Sequence, residues 1–557
     1  MSPTLTLSIT FITFIVVCLC IVHVCQSANI GDEQYGNEDG NFWVWTNTDT
    51  SRGANIIEPS SGAILKTIPV TEYTAMSWAD AVFVRDQAEI KSYAFIGDSG
   101  NNLMWVYDTE EYALMTKVTT GSKPVHLYSI PAFDEVWAHL DGTGSFDVFH
   151  MSQVRYRSSS EVARNDATLG HGKLLTNPNL ERDAFSTNVK NGTVSKIDTL
   201  LRRKTATLTI SNSTTAASTY GGYTCGGTHG IAFSDVDMSI YVECTNPSAC
   251  GSPYNTDACT GSIWKIDTYT FPGSSTDTDL NLGMNTALPS RSRLSSPFLS
   301  TKYGISYFGI QGQPYASPEE QFILCSNKNL NVLSIIKPVS GGPPLVLEVE
   351  VSYKPGSIVF WPKDSSITFG TDANPGNYWA VMALESSDEN SGLAFLDMDL
   401  VVAGFAASAS TLDSSVVQYV KLGAGNTYRP MERGNDYIVT PTNYDSTLKR
   451  YTHLSIVNAR TRSVQTTISL AGTAKILWVP TFESSWSSSF AALSNTVADQ
   501  STLSNQAITV GGVALAFTLG GLCALTALVL YIKKGKMREL SHMECPNESI
   551  AISDRAL

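Results

Sequence analysis

From Phe42 onward the chain alternates between short apolar runs and polar breaks. The runs are rich in Val, Ile, Thr, Tyr, Phe and Trp, and Gly, Asp, Asn, Ser and Pro divide them. Runs of this kind read as strands bounded by turns. The stretch Lys123 to Phe149 shows the unit. Val125 to Ile130 is apolar and stops at Pro131, Glu135 to His139 follows, Asp141-Gly142-Thr143-Gly144 turns the chain, and Phe146 to Phe149 returns. The same order recurs along the sequence. Before the far apolar run no window has the spacing of an amphipathic helix. The pattern therefore predicts an all-β fold built from repeats.

The best-marked part of the repeat is a strand, an acidic or Asn turn and a second strand. It begins at Ala54, Leu103, Gly192, Ser262 and Leu454. Asp and Thr at the break start a tight turn through side-chain bonds to the backbone. These pairs read as the two outer strands of a propeller blade. Candidate innermost strands begin near Asp80, His126, His171, His229, Tyr303, Pro355 and Tyr428. The first unit lacks one. Thr473 to Pro480 is a lone strand that would complete it and close the ring, removing exposed edges. The count is seven or eight blades, with eight favoured. Thr411 to Tyr451 is the poorly marked region.

Three breaks, Tyr107-Asp108-Thr109, Ile197-Asp198-Thr199 and Ile266-Asp267-Thr268, each precede a Thr/Val-rich strand. On these the sequence resembles the YVTN-type β-propellers of the wider quinoprotein-like group, over about Phe42 to Phe482. The resemblance implies the fold. Propellers of this group include surface adhesion modules, substrate-binding domains and a few enzymes, so it does not select an activity.

The flanks change the picture. Residues 1–28 resemble a signal peptide: Leu5 to Val24 is apolar and Ser27 and Ala28 are small. Residues 507–532 form a second apolar run without a charged residue, long enough to cross a ~30 Å hydrocarbon core as a helix. Lys533, Lys534, Lys536 and Arg538 follow, which places 533–557 in the cytosol. Between these runs lie a polar lead-in (29–41), the propeller (42–482) and a Ser/Thr-rich stalk (483–506). The expected topology is a single-pass type I protein of the plasma membrane with its propeller outside. Gly512, Ala516, Gly520 and Ala524 share one face of the span and would permit a homodimer.

An outside location makes Asn191 and Asn212, both in Asn-X-Thr sequons, glycan acceptors. It also favours disulfides among Cys225, Cys244, Cys250 and Cys259, leaving Cys325 as a buried apolar residue. A net charge of -14 argues against nucleic acid as a partner.

Candidate chemistry is confined to one register. His126, His171 and His229 stand at or just before the innermost strands of three consecutive blades, and Asp80 holds a comparable place in the blade before. Equivalent positions in a propeller converge on its axis. Three imidazoles there, with Asp80 as a fourth ligand, would suit Zn, Cu or Fe. The placement resembles that of the blade-start histidines that hold a metal in amidating lyases and carotenoid oxygenases. His139 is a weaker candidate. Asp98 to Asn102 and Asp141 to Gly144 are oxygen-rich turns that turn chemistry explains without calcium. No nucleophile elbow, phosphate loop or HExxH is present. Two functions fit. One is a cell-surface propeller that binds a protein or glycan, as an adhesion or receptor-like module. The other is a metal-dependent propeller enzyme.

Overall fold

A computed structural model describes the chain in the segments 39–47, 52–72, 76–86, 91–151, 171–177, 180, 182–189, 192–209, 227–245, 262–269, 271, 298–299, 305–308, 313–327, 331–340, 344–363, 377–385, 392–422 and 431–481. The chain divides into two compact units, Met1–Thr481 and Phe482–Leu557, and all the described residues lie in the first. The signal, stalk, span and tail, with Asn191, Asn212, Cys225, Cys250, Cys259 and the small-residue stripe, lie outside the described residues. So does the side chain of Cys244. Among the described residues no helix is long and apolar enough to cross a membrane. Cys325 is a free, buried thiol.

The described strands form eight sheets, antiparallel but for one added parallel strand in the sixth, the blades of an eight-bladed β-propeller. Their innermost strands are Thr473–Pro480, Trp78–Asp86, Pro124–Ile130, Leu174–Thr176, Gly227–Ser234, Pro314–Ala316, Lys354–Pro362 and Glu432–Gly434, for blades 1 to 8. Blade 1 is built from both ends of the unit. Gly40–Thr46 pairs with Thr473–Pro480, from Gly40 opposite Pro480 to Thr46 opposite Thr473. The main chain continues the seam, with Asn47 N donating to Gly472 O at 2.9 Å and Thr481 N to Asp39 O at 2.7 Å. The ring thus closes as the lone far strand predicts, two residues earlier than Phe42.

The cores lie between blades, because each sheet buries both faces. Successive residues of Gly40–Thr46 show how. Phe42 and Val44 pack with Leu454, Ile456 and Trp478 toward blade 8. Trp43 and Trp45 face the other way and meet Tyr107 of blade 2 at ring-centroid distances of 5.8 and 6.1 Å. In blade 7, Ala380 and Met382 join a core with blade 6, while Val381 and Ala383 join one with blade 8. This is why the strands read as nearly continuous apolar runs.

The Asp-Thr breaks act as the sequence predicts. Asp108, Asp198 and Asp267 accept backbone N–H groups from Glu110, Leu201 and Tyr269 at 2.8–2.9 Å. The Thr109, Thr199 and Thr268 hydroxyls donate to the carbonyls of Ser92, Arg182 and Met238, at 3.0, 2.7 and 2.7 Å. Ser92 lies in the blade's second strand and Arg182 and Met238 directly precede theirs, so one dipeptide turns the chain and ties two strands together.

Three features depart from the sequence reading. The segment after Tyr303 is not an innermost strand: Ile305–Phe308 pairs with Ser262–Asp267 at the outer side of blade 5. A helix, Met398–Ala406, interrupts blade 7, started by Asp397, whose carboxylate accepts Asp399 N at 2.8 Å. Its buried Met398, Val401 and Phe405 follow helical spacing, but over too short a span to separate it from a strand. The poorly marked region divides three ways. Thr411–Leu412 adds a parallel strand to blade 6, Val417–Lys421 forms the outer strand of blade 7, and Glu432–Gly434 starts blade 8.

Ile476 is fully buried on the closing strand. Ile476→Ala should cost about 2–5 kcal/mol, read as a lower urea midpoint. Ile64→Ala, at a 45% exposed position on the outer strand of the same blade, should stay within about 0.5 kcal/mol. Equal effects would mean that the closing strand is not part of the cooperative core.

Candidate metal centre at the channel mouth

The innermost strands do not enter their blades smoothly. Pairing slips between Trp78 and Ala81 in blade 2, between Pro124 and His126 in blade 3 and between Thr228 and Ile231 in blade 5. The closing strand slips opposite Trp45/Thr46, next to Lys475. Such bulges insert residues that take no part in the ladder and re-aim side chains. Asp80 and His229 lie inside two of them, and His126 and Lys475 directly beside two others. His171 precedes Leu174–Thr176, held by Val189 N donating to its carbonyl at 2.8 Å. The next residue, Gly172, runs so close to blade 4's second strand that a Cβ would lie 1.9 Å from Thr187 O. Only glycine lets the chain pass there, which brings His171 level with its neighbours.

The three histidines converge. One ring nitrogen from each of His126, His171 and His229 lies within 4.8 Å of the others. His126 Nε2 and His171 Nε2 are 3.4 Å apart. The His126 and His171 rings have centroids 4.8 Å apart, and those of His171 and His229 are stacked at 4.9 Å.

A carboxylate lies near Nδ1 of each ring, on the side away from the shared contact for His126 and His171. Asp80 Oδ2 is 3.2 Å from His126 Nδ1, Asp141 Oδ2 is 3.0 Å from His171 Nδ1, and Glu243 Oε2 is 3.8 Å from His229 Nδ1. An ionised carboxylate can only accept, so the first two contacts put the proton on Nδ1. The lone pairs of His126 and His171 are then on Nε2, facing the cluster. Lys475 pairs with the other oxygen of Asp80, and Gly230 N donates to Glu243 at 3.1 Å. Asp80 is therefore a partner of the His126 ring rather than a member of the converging set.

Local electrostatics keep the nearby imidazoles neutral. Burial, joined by the positive charge of Lys173, pushes His126 down to about 3 against the opposing pull of Asp80. Burial lowers His139 to about 4. Burial alone would raise Asp80, but Lys475 and then His126 hold it well below the usual carboxylate range. Burial alone would raise Asp141, but the hydrogen bond from His171 and the charges of His171, His139 and His126 together hold it below its usual value. Lys173 is lowered by burial, against the attraction of Asp80.

His139 lies opposite His126 in the ladder, stacked on Phe146 at 4.9 Å, with its Nδ1 3.9 Å from Asp141. Asp141, Glu243, Lys173 and Lys475 escape sequence reasoning. Asp141 reads as a turn residue, and the other three have no local motif. The oxygen-rich turn at Asp98 is complete in itself: its carboxylate accepts Ser77 N, Gly100 N, Asn101 N and Asn101 Nδ2.

No protein-family model matches the chain, and no curated protein matches it. Solved structures of similar course include AztD from Citrobacter koseri, with 13% identity over 80% of this chain and 98% of that one (TM-score 0.44). Dihydro-heme d1 dehydrogenase NirN in complex with DHE matches at 12% identity over 68% of this chain and 63% of its own (TM-score 0.42). Kuenenia stuttgartiensis hydrazine synthase matches at 12% identity over 74% of this chain and 100% of its own (TM-score 0.41). These likenesses concern the course of the chain alone and say nothing of the histidine cluster.

Neutral His126 and His139 in the fold have a measurable consequence. An unfolded chain binds a proton on each near its ordinary value of about 6.5, whereas the folded chain does so only near 3 and 4. Below about pH 6.5 the unfolded state therefore holds more protons, and stability falls as pH falls toward 4. The metal-free protein should lose on the order of 1.4 kcal/mol per pH unit for each imidazole. His139→Phe should roughly halve that slope. Urea melts between pH 7 and 4.5 check this, and a flat profile would show that neither ring is held neutral.

Proposed function

We propose that the propeller is a metal-dependent enzyme whose channel mouth holds a divalent transition metal, zinc foremost, on His126, His171 and His229. One observation carries this reading. The carboxylates fix the protons of His126 and His171 on Nδ1, yet their Nε2 atoms stand 3.4 Å apart. Two lone pairs at that distance repel, and a cation between them, a metal ion or a shared proton, relieves the repulsion; the carboxylates behind both rings favour the metal ion. Zinc–nitrogen bonds of about 2.0–2.1 Å in tetrahedral geometry put two ligand nitrogens about 3.3–3.4 Å apart, which this pair already satisfies. His229 must draw in, since 4.8 Å exceeds what two bonds of that length can span. Its side chain is 26% exposed and has room to turn.

The surroundings support the same reading. Carboxylates behind metal-bound histidines orient the rings and raise their basicity. Among the described residues no fourth ligand joins the group. Three protein ligands with an open position are the pattern of catalytic rather than structural zinc. The ion would supply Lewis acidity there. The protein's part is to bring three imidazoles together and, at His126 and His171, to hold the tautomer that leaves Nε2 free to bind.

Display outside a cell belongs to the same proposal and is supported by the apolar runs at 5–24 and 507–532 with the basic residues after the second. Kinship with the YVTN-type propellers is supported by the Asp-Thr turns.

Full-length protein, expressed through a secretory pathway and purified in detergent, should carry about one zinc per chain by elemental analysis. The combined change His126→Ala, His171→Ala, His229→Ala should abolish it, and Asp141→Asn should weaken zinc by about 10–100-fold. Native protein that stays metal-free at micromolar zinc would refute the reading.

A further inference from the structure

Exposed apolar side chains gather at one end of the propeller. Each innermost strand starts at the channel mouth that holds the histidines, and antiparallel pairing brings the chain back there before the third strand. The turn between a blade's two outer strands therefore lies at the far end. Four consecutive blades carry exposed apolar groups at that turn. They are Leu200 and Leu201 in blade 4, Tyr269, 77% exposed, in blade 5, and Leu345 in blade 6. In blade 7 the helix Met398–Ala406 takes the place of the turn and leaves Leu400 and Val402 in water while burying Met398, Val401 and Phe405. Val464 in blade 8 and Ile64 and Leu65 in blade 1 continue the arc, at the start of the outermost strand. Among the described residues, the large exposed apolar side chains away from these turns are Tyr419, Tyr444 and Leu448. Single exposed leucines are ordinary on a protein surface, but an arc of them over successive blades at one end marks a contact.

Two observations say what covers this end. The closing strand Thr473–Pro480 is itself an innermost strand, so the chain leaves the propeller here, at Thr481, whose N–H is tied to Asp39. Residues 482–506 are all that separates Thr481 from the apolar run at 507–532. Even drawn straight they reach no more than ~3.6 Å each, roughly 90 Å in all. A surface tethered so near is present at high effective concentration and needs only weak contacts. Cations also stand among the apolar groups. Arg203 follows Leu201 by two residues, Lys337 lies across the ladder from Leu345, and Lys66 follows Leu65. Leucine and tyrosine interleaved with Lys and Arg suit the headgroup layer of a bilayer, where apolar groups enter and basic ends stay with the phosphates. Lysine is depleted from the centres of protein–protein interfaces, which weighs against a second chain as the occupant. Blade 2 carries Glu110 and Glu111 at the same turn and lies outside the arc.

We infer that this end of the propeller docks on the surface of a lipid bilayer, with Leu200, Leu201 and Tyr269 entering the headgroup layer. The histidine mouth, at the other end, then opens away from the lipid and toward whatever diffuses past the cell. This rests on the display outside a cell proposed above and does not need the metal. It adds a docking surface and an orientation.

The test uses full-length protein in phosphatidylcholine vesicles, with the photo-crosslinking residue p-benzoylphenylalanine in place of Leu201, Tyr269 or Leu448 in turn. Leu448 is the control: it is 52% exposed, against 49% for Leu201, but lies between the second and third strands of blade 8, toward the histidine end. After illumination, lipid adducts are counted by mass spectrometry. Adducts at 201 and 269 should exceed those at 448 by about tenfold. The combined change Leu200→Ser, Leu201→Ser should lower the yield at 269 by about fivefold or more. Equal yields at the three positions, adducts to protein in place of lipid, or an unchanged yield at 269 in the double variant would each overturn the docking. Carbonate washing of the expressing cells' membranes separates the two readings. Protein released by the wash brings down the membrane display, and this inference with it. Protein retained, with no excess of adducts at 201 and 269, overturns the docking alone.

Discussion

Everything in this propeller depends on the pairing of its first described strand with its last. Gly40–Thr46 and Thr473–Pro480 come from opposite ends of the unit, and Thr481 binds Asp39 across 442 positions of sequence. Closing so long a loop carries a large entropic cost, though one that grows only slowly with length. Two buried faces offset it, one toward blade 8 around Phe42 and Trp478, the other toward blade 2 around Trp43, Trp45 and Tyr107. Smaller bonds secure the same seam, with Gln465 reaching Ser60 and Asn435 reaching Asp39 at 2.8 and 2.9 Å. An open ring would leave strand edges and aromatic faces in water at both ends.

The site exploits positions that closure leaves free. Inside the blades the residues of the middle strands are packed against a neighbouring sheet on either face, so few side chains there can be spared for chemistry. At the entry to the innermost strands that demand lapses. Bulges there take Asp80 and His229 out of the ladder, and another sits directly before His126. The polar residues then satisfy one another across blade boundaries. Blade 2 supplies the carboxylate for the histidine of blade 3, and blade 3 supplies the one for blade 4. Neutral rings and fixed tautomers result from this arrangement, not from any single residue.

The sequence was most legible where physics is local. Alternation of apolar and polar residues, Asp-Thr turns and the lone strand from Thr473 depend on neighbours along the chain, and they carried the blade architecture. The register of the three histidines was visible for the same reason, since each opens a repeat. What could not be read is what crosses between repeats. Asp141 looks like a turn residue because it is one, and its service to His171 exists only once two blades stand side by side. Lys475 lies hundreds of residues from Asp80. The segment at Tyr303 misled because a strand's pattern does not say which edge of which sheet it joins. The helix from Met398 is apolar enough to pass for a strand over its short length.

Lys475 has a further meaning because of where it sits. It belongs to the closing strand, yet its ammonium group holds Asp80, which holds the ring of His126. The clasp of the ring and the posture of a histidine are therefore one mechanical linkage. Any ligand that prefers the ordered histidines also favours the shut ring, in proportion to how tightly it binds. A cargo of a few atoms would then act at a distance as a rivet, lengthening the life of a shell made of hundreds of residues.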